Sequence, residues 1–339
     1  MKLGYSTTAW GAGPPRDALA GILEADRLGV DSVWTNESYG ADVLTPLAWW
    51  GSRTSRVRLG TAIAQISARP PTSMAMAALT LDHLSGGRLI LGLGASGPQV
   101  VEGWYGQQFA RPLERTREYV AIVRQALRRE EPVQFQGRHY SVPIPDGTGL
   151  GKPLKPIVHP YRPDLPVMLA AEGPRNVALA AEIADGWIPM WFSPKASEWA
   201  QTQLAEGFAR RGGSPDNFEV IAPILLRVDD DLEAAADALR PTVALYIGGM
   251  GAQGANYHLD VFARLGWRDV CVQVQECYLR GDKRAAMSAI PIELVEDVAL
   301  IGPLAKIRED LARWRATVVT TLAVKCAPED LVGIRDLFD

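Results

Sequence analysis

Short apolar runs alternate with helix-like segments along the whole chain, and this alternation is the strongest constraint on its fold. Most of these runs are continuously apolar, which is typical of a parallel sheet whose two faces are both covered. Eight successive strand–helix pairs therefore predict an α/β fold, the closed (β/α)8 TIM barrel, with an open doubly wound sheet as the alternative. The predicted strands are Leu3–Ser6, Asp31–Thr35, Val57–Ala64, Arg88–Gly94, Pro166–Ala171, Gly186–Met190, Phe218–Val228 and Val319–Lys325.

We expect the 339 residues to form one domain, because α/β barrels routinely exceed the usual domain length. Two stretches, near 131–164 and 248–303, are longer than ordinary connections and are predicted to be insertions that act as lids or walls. The first contains FQGRHYSVP, which predicts a small hairpin with Gly137 at its turn. The second shows helical periodicity, whereas the helix that follows the seventh strand is predicted near 231–246.

Composition excludes several classes of partner. The net charge of −4 gives no electrostatic footprint for nucleic acid or an anionic membrane. No apolar run approaches the roughly 18 residues that a membrane span needs, and the N-terminus does not resemble a signal peptide. The three cysteines form no C-x-x-C pair, which predicts a reducing, cytoplasmic location. The four histidines show no metal-ligand spacing, so no metal site is predicted.

Two glycine-containing loops follow predicted strands four and five. GLGASG at 92–97 matches a dinucleotide fingerprint, but Pro98 follows at once and the next clear helix is predicted at Pro112. We therefore favour a rim loop that binds phosphate or hydroxyl groups through its backbone, with a ligand-free turn as the alternative. The second loop, AAEGP at 170–174, opens a helix and predicts an anion site, or else a plain helix start.

Other polar and aromatic side chains are predicted to lie at the same rim. Glu37, after Asn36 at the end of strand two, is a candidate general acid or base, with a salt-bridged carboxylate as the alternative. Gln65 ends strand three and is a candidate contact for a bound ring. The candidate substrate contacts, chosen as aromatic or titratable groups at strand ends and in the long loop, are Trp10, Trp191 and His258.

These segments, in this order, resemble the luciferase-like flavin and deazaflavin superfamily. The resemblance is greatest to members that depend on coenzyme F420, such as methylene-tetrahydromethanopterin reductase. It covers nearly the whole chain, and only the ordered set of segments makes it specific. The segments that carry it are SVWTNESYG, LGTAIAQISARPP, DHLSGGRLILGLGASGPQVVEGWYG, FQGRHY, LAAEGPRNVALAAEIADGW and ALYIGGMGAQGANYH.

The resemblance implies a (β/α)8 barrel, a homodimer and bound F420, with FMN as the alternative cofactor. It also implies a non-prolyl cis peptide between Ala62 and Ile63, behind the cofactor ring. Where such proteins commonly carry an Asp-His pair after strand two, this chain has Asn36 and Glu37, which leaves Glu37 as the candidate proton donor. The cofactor contacts that it implies, together with those argued above, are Ala62, Ile63, Gln65, Gly94, Ser96, Gly97, Ala171, Glu172, Gly173 and Lys195.

The function implied is hydride transfer between the deazaflavin and a small substrate with a C=C, C=N or C=O bond. One alternative is an FMN-dependent monooxygenase that uses dioxygen and a partner reductase. A second is a cofactor-binding protein without turnover. A third, an aldolase or hydrolase barrel, needs either a Schiff-base lysine, for which Lys195 is the one rim candidate, or paired carboxylates.

Overall fold

The computed structural model describes residues 1–7, 12–15, 18–37, 39–251, 254 and 256–338. Eight parallel strands close into a barrel, because the seventh pairs with both the sixth and the eighth. This confirms the predicted TIM barrel and contradicts the open sheet. The barrel strands are β1 (Lys2–Ser6), β2 (Ser32–Thr35), β3 (Arg58–Thr61), β4 (Leu89–Gly94), β5 (Val167–Ala170), β6 (Gly186–Ile188), β7 (Glu219–Val228) and β8 (Thr321–Lys325).

The inside of the barrel is a packed core and not a pore. Trp34 is its largest member, is fully buried, and donates from its indole N–H to Ser32 Oγ at 2.9 Å. The ring lies against Gly60 on β3, where a side chain would collide with it. The other buried side chains of this inner cluster are Ile90, Met168, Ile188, Ile221 and Ala323. Since the interior is filled, ligands have access only at the ends of the strands.

Eight helices form the outer layer and bury their apolar faces on the outward-pointing residues of the strands. One of them, Leu304–Arg315, contributes Ile307, Leu311 and Trp314 to the main core and returns the chain from β7 to β8. The outer helices are Ala18–Leu28, Leu44–Gly51, Pro71–Ser85, Pro112–Arg128, Pro174–Ile183, Ser197–Arg211, Leu304–Arg315 and Pro328–Ile334.

The first insertion contains the predicted hairpin. Strands Phe135–Gln136 and Ser141–Val142 are antiparallel, and the backbone N–H of Gly137 donates to Tyr140 O at 2.9 Å. The buried carboxylate of Glu118 accepts the backbone N–H groups of residues 138, 139 and 140 at 2.8–3.0 Å. This carboxylate replaces water for three turn donors and so fixes the hairpin on the barrel.

The second insertion is helical, as its periodicity predicts, and has its own apolar cluster. The helix Leu232–Gly248 packs within this cluster, so the prediction that it is the barrel helix after β7 is wrong. A strand that the sequence analysis did not predict, Ala299–Gly302, pairs with the end of β7. The remaining segments are Tyr257–Phe262, a π turn at Ala263–Trp267, Arg268–Leu279, Lys283–Ser288 and Ile292–Val298.

A short helix, Pro98–Gly103, begins directly after Gly97, and this corrects the expectation that no helix starts before Pro112. Proline suits the first turn of a helix, where its missing N–H would have no partner. The smaller elements are the strand Ala64–Gln65, which pairs with β4, and the 3₁₀ turns Pro194–Ala196 and Arg335–Leu337. Within the described part of the chain, no helix has the length and apolarity to cross a bilayer.

Candidate active site

Residues predicted on strands three to five meet at the carboxyl end of the barrel. The peptide bond between Ala62 and Ile63 is cis, as predicted. A methyl group on Gly94 would lie 2.8 Å from the Ile63 side chain and 3.6 Å from Ala170 Cβ. Ala62, Ile63 and Ala170 all pack on top of the inner cluster. The ends of β3, β4 and β5 therefore form one continuous aliphatic floor.

The loops after β4 and β5 border this floor. Ser96 has a left-handed backbone with φ of 60°, and Gly97 precedes the helix Pro98–Gly103. After β5, the carbonyl of Ala171 accepts the indole N–H of Trp187 at 2.9 Å. Gly173 precedes the helix Pro174–Ile183, and a methyl group placed on it would meet nothing within 4 Å. There is thus open space beside Gly173, at the start of this helix.

Glu37 is bound on every side and does not project into this opening. Its carboxylate is 3 % exposed and receives both arms of Arg69, Nη1 to Oε2 at 3.0 Å and Nη2 to Oε1 at 2.8 Å. The backbone N–H of Gln65 also donates to Oε2 at 3.0 Å, and Gln65 Nε2 donates to the Glu37 carbonyl. Glu37 and Gln65 therefore join β2 to the segment after β3, the salt-bridged alternative of the sequence analysis.

Arg69 completes this group and keeps its charge. It also pairs with Asp42, so one guanidinium holds two carboxylates. Burial alone would lower the pKa of Arg69, but the hydrogen bonds and charges of Glu37 and Asp42 leave the pKa above its ordinary value. Asn36, by contrast, follows the inward side of β2, two residues after Trp34, and is half-buried at the mouth of the barrel.

A cavity of about 380 Å³ lies between the barrel rim and the second insertion. We call it the rim cavity, and its size falls in the usual range for small-molecule sites. Most of its wall is aromatic or aliphatic, with Glu172, Lys195 and Arg264 as its charged members. The other lining residues are Ala171, Trp187, Pro189, Met190, Trp191, Phe192, Ala196, Trp199, Val261 and Leu265.

The two cations of the rim cavity differ in their partners. Lys195 Nζ lies 2.7 Å from Asp297 Oδ2, which also accepts the indole N–H of Trp267. The lysine predicted as a phosphate contact is thus neutralised by a carboxylate of the insertion. Arg264 donates to the carbonyl of Glu172 at 2.7 Å and lies over the Trp199 ring, and no carboxylate within ion-pair distance is found among the described residues. Burial lowers the pKa of Arg264.

Two residues predicted for different roles lie next to each other. His258 Nδ1, predicted to contact substrate, lies 2.6 Å from Oε1 of Glu172, predicted to contact the cofactor. Glu172 Oε2 is buried and has no hydrogen-bond partner within the part of the chain that the structure describes. Trp191, with a left-handed backbone, packs on Tyr246 and on the insertion helix Tyr257–Phe262. These contacts bring the insertion against the β5 and β6 loops. Trp10 lies outside the described residues.

A second lysine, Lys325, lies at the rim, whereas sequence analysis named Lys195 as the one candidate. Lys325 is the last residue of β8, on the same side of the strand as Ala323 of the inner cluster. It is half-buried, and burial lowers its pKa. The strand alternation within VTTLAVK was the signal that could have found it. The described residues contain no group of three or more His, Cys, Asp or Glu that could hold a metal ion.

Comparison with known proteins shows similarity over the whole length of the chain. Residues 1–321 match the model of the luciferase-like monooxygenase family. The chain is 52 % identical to a Mycobacterium tuberculosis protein provisionally named a coenzyme F420-dependent oxidoreductase, over 99 % of this chain and 98 % of that one. It is 31 % identical to 5,10-methylenetetrahydromethanopterin reductase of Archaeoglobus fulgidus, over 82 % and 80 % of the two chains.

A solved structure confirms the fold independently. The coenzyme F420-dependent tetrahydromethanopterin reductase of Methanopyrus kandleri superposes with a TM-score of 0.83 at 22 % identity, over the full length of both chains. At this identity the likeness shows the architecture, a (β/α)8 barrel with insertions at the rim.

Proposed function

The chain belongs to the luciferase-like monooxygenase family, and from that premise we propose that it is an oxidoreductase with coenzyme F420 as its cofactor. The reaction we propose is hydride transfer between the deazaflavin and a small molecule that carries a C=C, C=N or C=O bond. The observation that carries the proposal is the 52 % identity, over nearly all of both chains, to a protein named for F420 dependence.

The residues present fit a flat ring with a polar tail. Ala62, Ile63, Gly94 and Ala170 offer an aliphatic floor with no aromatic or charged side chain. The buried, unpartnered Oε2 of Glu172 is an acceptor for a hydroxyl group of the tail. The positive end of the ten-residue helix that starts after Gly173, with the backbone N–H of Arg175, would bind the phosphate, with Ser96 and Gly97 on the neighbouring loop.

When bound, the deazaflavin supplies a carbon centre that exchanges two electrons as hydride. The protein's part is to fix the reacting partners and to exclude water. The floor over β3–β5 supports one face of the ring and leaves the other face toward the mouth of the barrel. The Glu37–Arg69 pair holds the ends of β2 and β3 together and so keeps that floor in place.

The rim cavity is the place that we propose for the substrate. It adjoins Glu172, which we assign to the cofactor tail, so a molecule in it lies next to the cofactor, and its reacting bond would extend over the open face of the ring at the mouth of the barrel. Trp187, Trp191 and Phe192 give it apolar walls, and Arg264 offers a charge that no described carboxylate neutralises. We therefore expect an apolar substrate with an anionic or strongly polar group.

Spectral titration of the apoprotein with F420 and with FMN tests the cofactor. We expect saturable F420 binding, followed by oxidation of reduced F420 in the presence of an acceptor from a panel of enones, imines and ketones. Tight binding of FMN alone would support the monooxygenase instead. F420 binding without turnover of any acceptor would support a cofactor-binding protein.

Gly173→Leu tests the location of the cofactor. Its backbone φ of −84° suits any residue, and the added side chain would enter open space, so the fold should be kept. We expect at least about 100-fold weaker F420 binding, because the side chain would cover the proposed phosphate position. Gly103→Leu, at the exposed end of a helix and also without neighbours within 4 Å, is the matched control. Unchanged F420 affinity in Gly173→Leu would show that the phosphate does not bind beside Gly173.

Assembly and location stay predictions. We propose a homodimer formed through the neighbouring helices Leu44–Gly51 and Pro71–Ser85, which expose Trp49, Met76 and Leu84. Sedimentation velocity of the wild type and of Met76→Glu checks this. We also propose a reducing compartment such as the cytoplasm, because all three cysteines are buried free thiols.

A further inference from the structure

Lys325 occupies a distinctive place at the mouth of the barrel. In β8, Leu322 and Val324 face the outer helices, while Ala323 faces the inner cluster. Alternation along the strand places Lys325 on the inner side, one step above Ala323. Since Lys325 is the last residue of β8, its four-carbon side chain starts at the carboxyl end of the barrel, the level at which TIM barrels carry their chemistry.

The other charged groups predicted for the site already have partners. Glu37 holds Arg69, Lys195 holds Asp297, and Glu172 lies beside His258. Lys325 forms no hydrogen bond or ion pair with any described residue. A partly buried ammonium group without an acceptor is costly, so a free lysine at this position is not explained by stability.

The surroundings of Lys325 also favour proton exchange. Burial lowers the pKa of its ammonium group from the ordinary 10.5, and it is the only cause of that shift. The charged or titratable groups described on the adjoining segments are Tyr5, Arg227, Asp229, Asp230, Cys326, Glu329 and Asp330, and none of them contributes to it. A proton donor with a pKa closer to neutrality works more efficiently as a general acid.

Resting on the proposed function, we propose that Lys325 is the proton donor to the acceptor atom of the substrate. As hydride from the reduced cofactor reaches the carbon of the C=X bond, its π electron pair moves to X. The N–H bond of the ammonium group breaks, and an X–H bond forms. The neutral amine then takes a proton from water, and in the reverse direction it acts as the base.

Lys325→Met and Lys325→Arg test this assignment in the intact enzyme. We expect Lys325→Met to lower kcat by about 100-fold or more, the usual contribution of a general acid, while the Kd for F420 stays within about threefold. In the wild type, kcat should fall as pH rises through the pKa of the ammonium group. Lys325→Arg should keep a charge but lose that alkaline limb, because guanidinium does not titrate there. Lys155→Met, an exposed lysine of the first insertion, is the control.

Competitive labelling with acetic anhydride, followed by mass spectrometry, gives a second readout that needs no turnover. We expect Lys325 to react at lower pH than Lys155, and oxidised F420 to protect it. If the wild type reduces an acceptor and Lys325→Met matches its kcat and pH profile, Lys325 is not the donor, although the proposed function stands. If the wild type binds no F420, the proposed function and this assignment both fall.

Discussion

The two ends of the barrel differ in whether their partly buried charges are paired. At the amino end, Arg58 donates to Glu219 at 2.7 and 2.9 Å and to Asp31 at 2.5 Å, and Lys2 lies within 3.6 Å of both carboxylates. At the carboxyl end, Lys325 has no acceptor among the described residues, and Glu172 Oε2 has no donor.

We infer that the charges at the amino end serve stability and that those at the carboxyl end serve binding. In a closed network every buried charge has a protein partner, so none is left to bind a ligand. Buried groups without a partner cost stability, and they are kept where a ligand supplies the missing partner. TIM barrels divide their ends in this manner. Substitutions at the amino end should therefore change unfolding and spare turnover, and those at the carboxyl end should do the reverse.

Arg58→Met is expected to have the largest effect on stability. It leaves Glu219 and Asp31 close together with the more exposed Lys2 as their remaining described cation, which should cost about 3 kcal/mol of the free energy of unfolding. Because Arg58 lies at the far end of the barrel from the cofactor floor, kcat and the Kd for F420 should stay within about twofold. Thermal or urea unfolding, with steady-state kinetics at a temperature where the variant is folded, checks both.

Arg27→Met serves as the control, since the one described partner of the Arg27 side chain is Glu24, in an exposed pair on the same helix. It should leave the free energy of unfolding nearly unchanged, because water screens an exposed pair. A fall in kcat for folded Arg58→Met would contradict the division between the two ends.

Glu37→Gln tests the exception, a paired group at the functional end. The change leaves Arg69 with one carboxylate in place of two and weakens the contact with Gln65, which should cost about 2 kcal/mol of unfolding free energy. If Glu37 is structural, the pH profile of kcat should keep its shape. Loss of one limb of that profile at unchanged stability would instead make Glu37 the proton donor that the family resemblance implied.

Sequence reasoning recovered what depends on local pattern and order. The eight strands lie within about three residues of their predicted bounds at most ends, because continuous apolar runs and flanking glycines mark parallel strands. The hairpin at Gly137 and the cis bond between Ala62 and Ile63 were also predicted, the second through family resemblance. These features depend on residues that are adjacent in the chain.

Features that depend on distant partners were not recovered. Whether Glu37 is free or paired is decided by Arg69, 32 residues away, and the charge of Lys195 is taken up by Asp297, 102 residues away. Lys325 was missed for a related reason. A lysine at a strand end indicates a functional group only when no other segment supplies a carboxylate to pair with it. Pairing across the chain therefore separates structural from functional charges, and a single sequence does not show it.

Acid titration should give the smallest of these effects, and it examines the amino-end network without altering a side chain. Burial alone would raise the pKa of Glu219, but hydrogen bonds and charge from Arg58 and Lys2 leave the pKa below its ordinary value of 4.5. The ionised carboxylate therefore contributes stability that is fully present above about pH 4.5 and is lost as pH falls through the lower pKa of the folded state.

Below pH 4.5 the wild type should lose more unfolding free energy per pH unit than Glu219→Gln, measured by urea unfolding. The loss should be smaller than that of Arg58→Met, because Asp31 still holds Arg58. Glu206→Gln, in an exposed pair on one helix, should follow the wild-type slope. Identical slopes for the wild type and Glu219→Gln would mean that the network does not stabilise the amino end, and the contrast between the two ends would then rest on the rim alone.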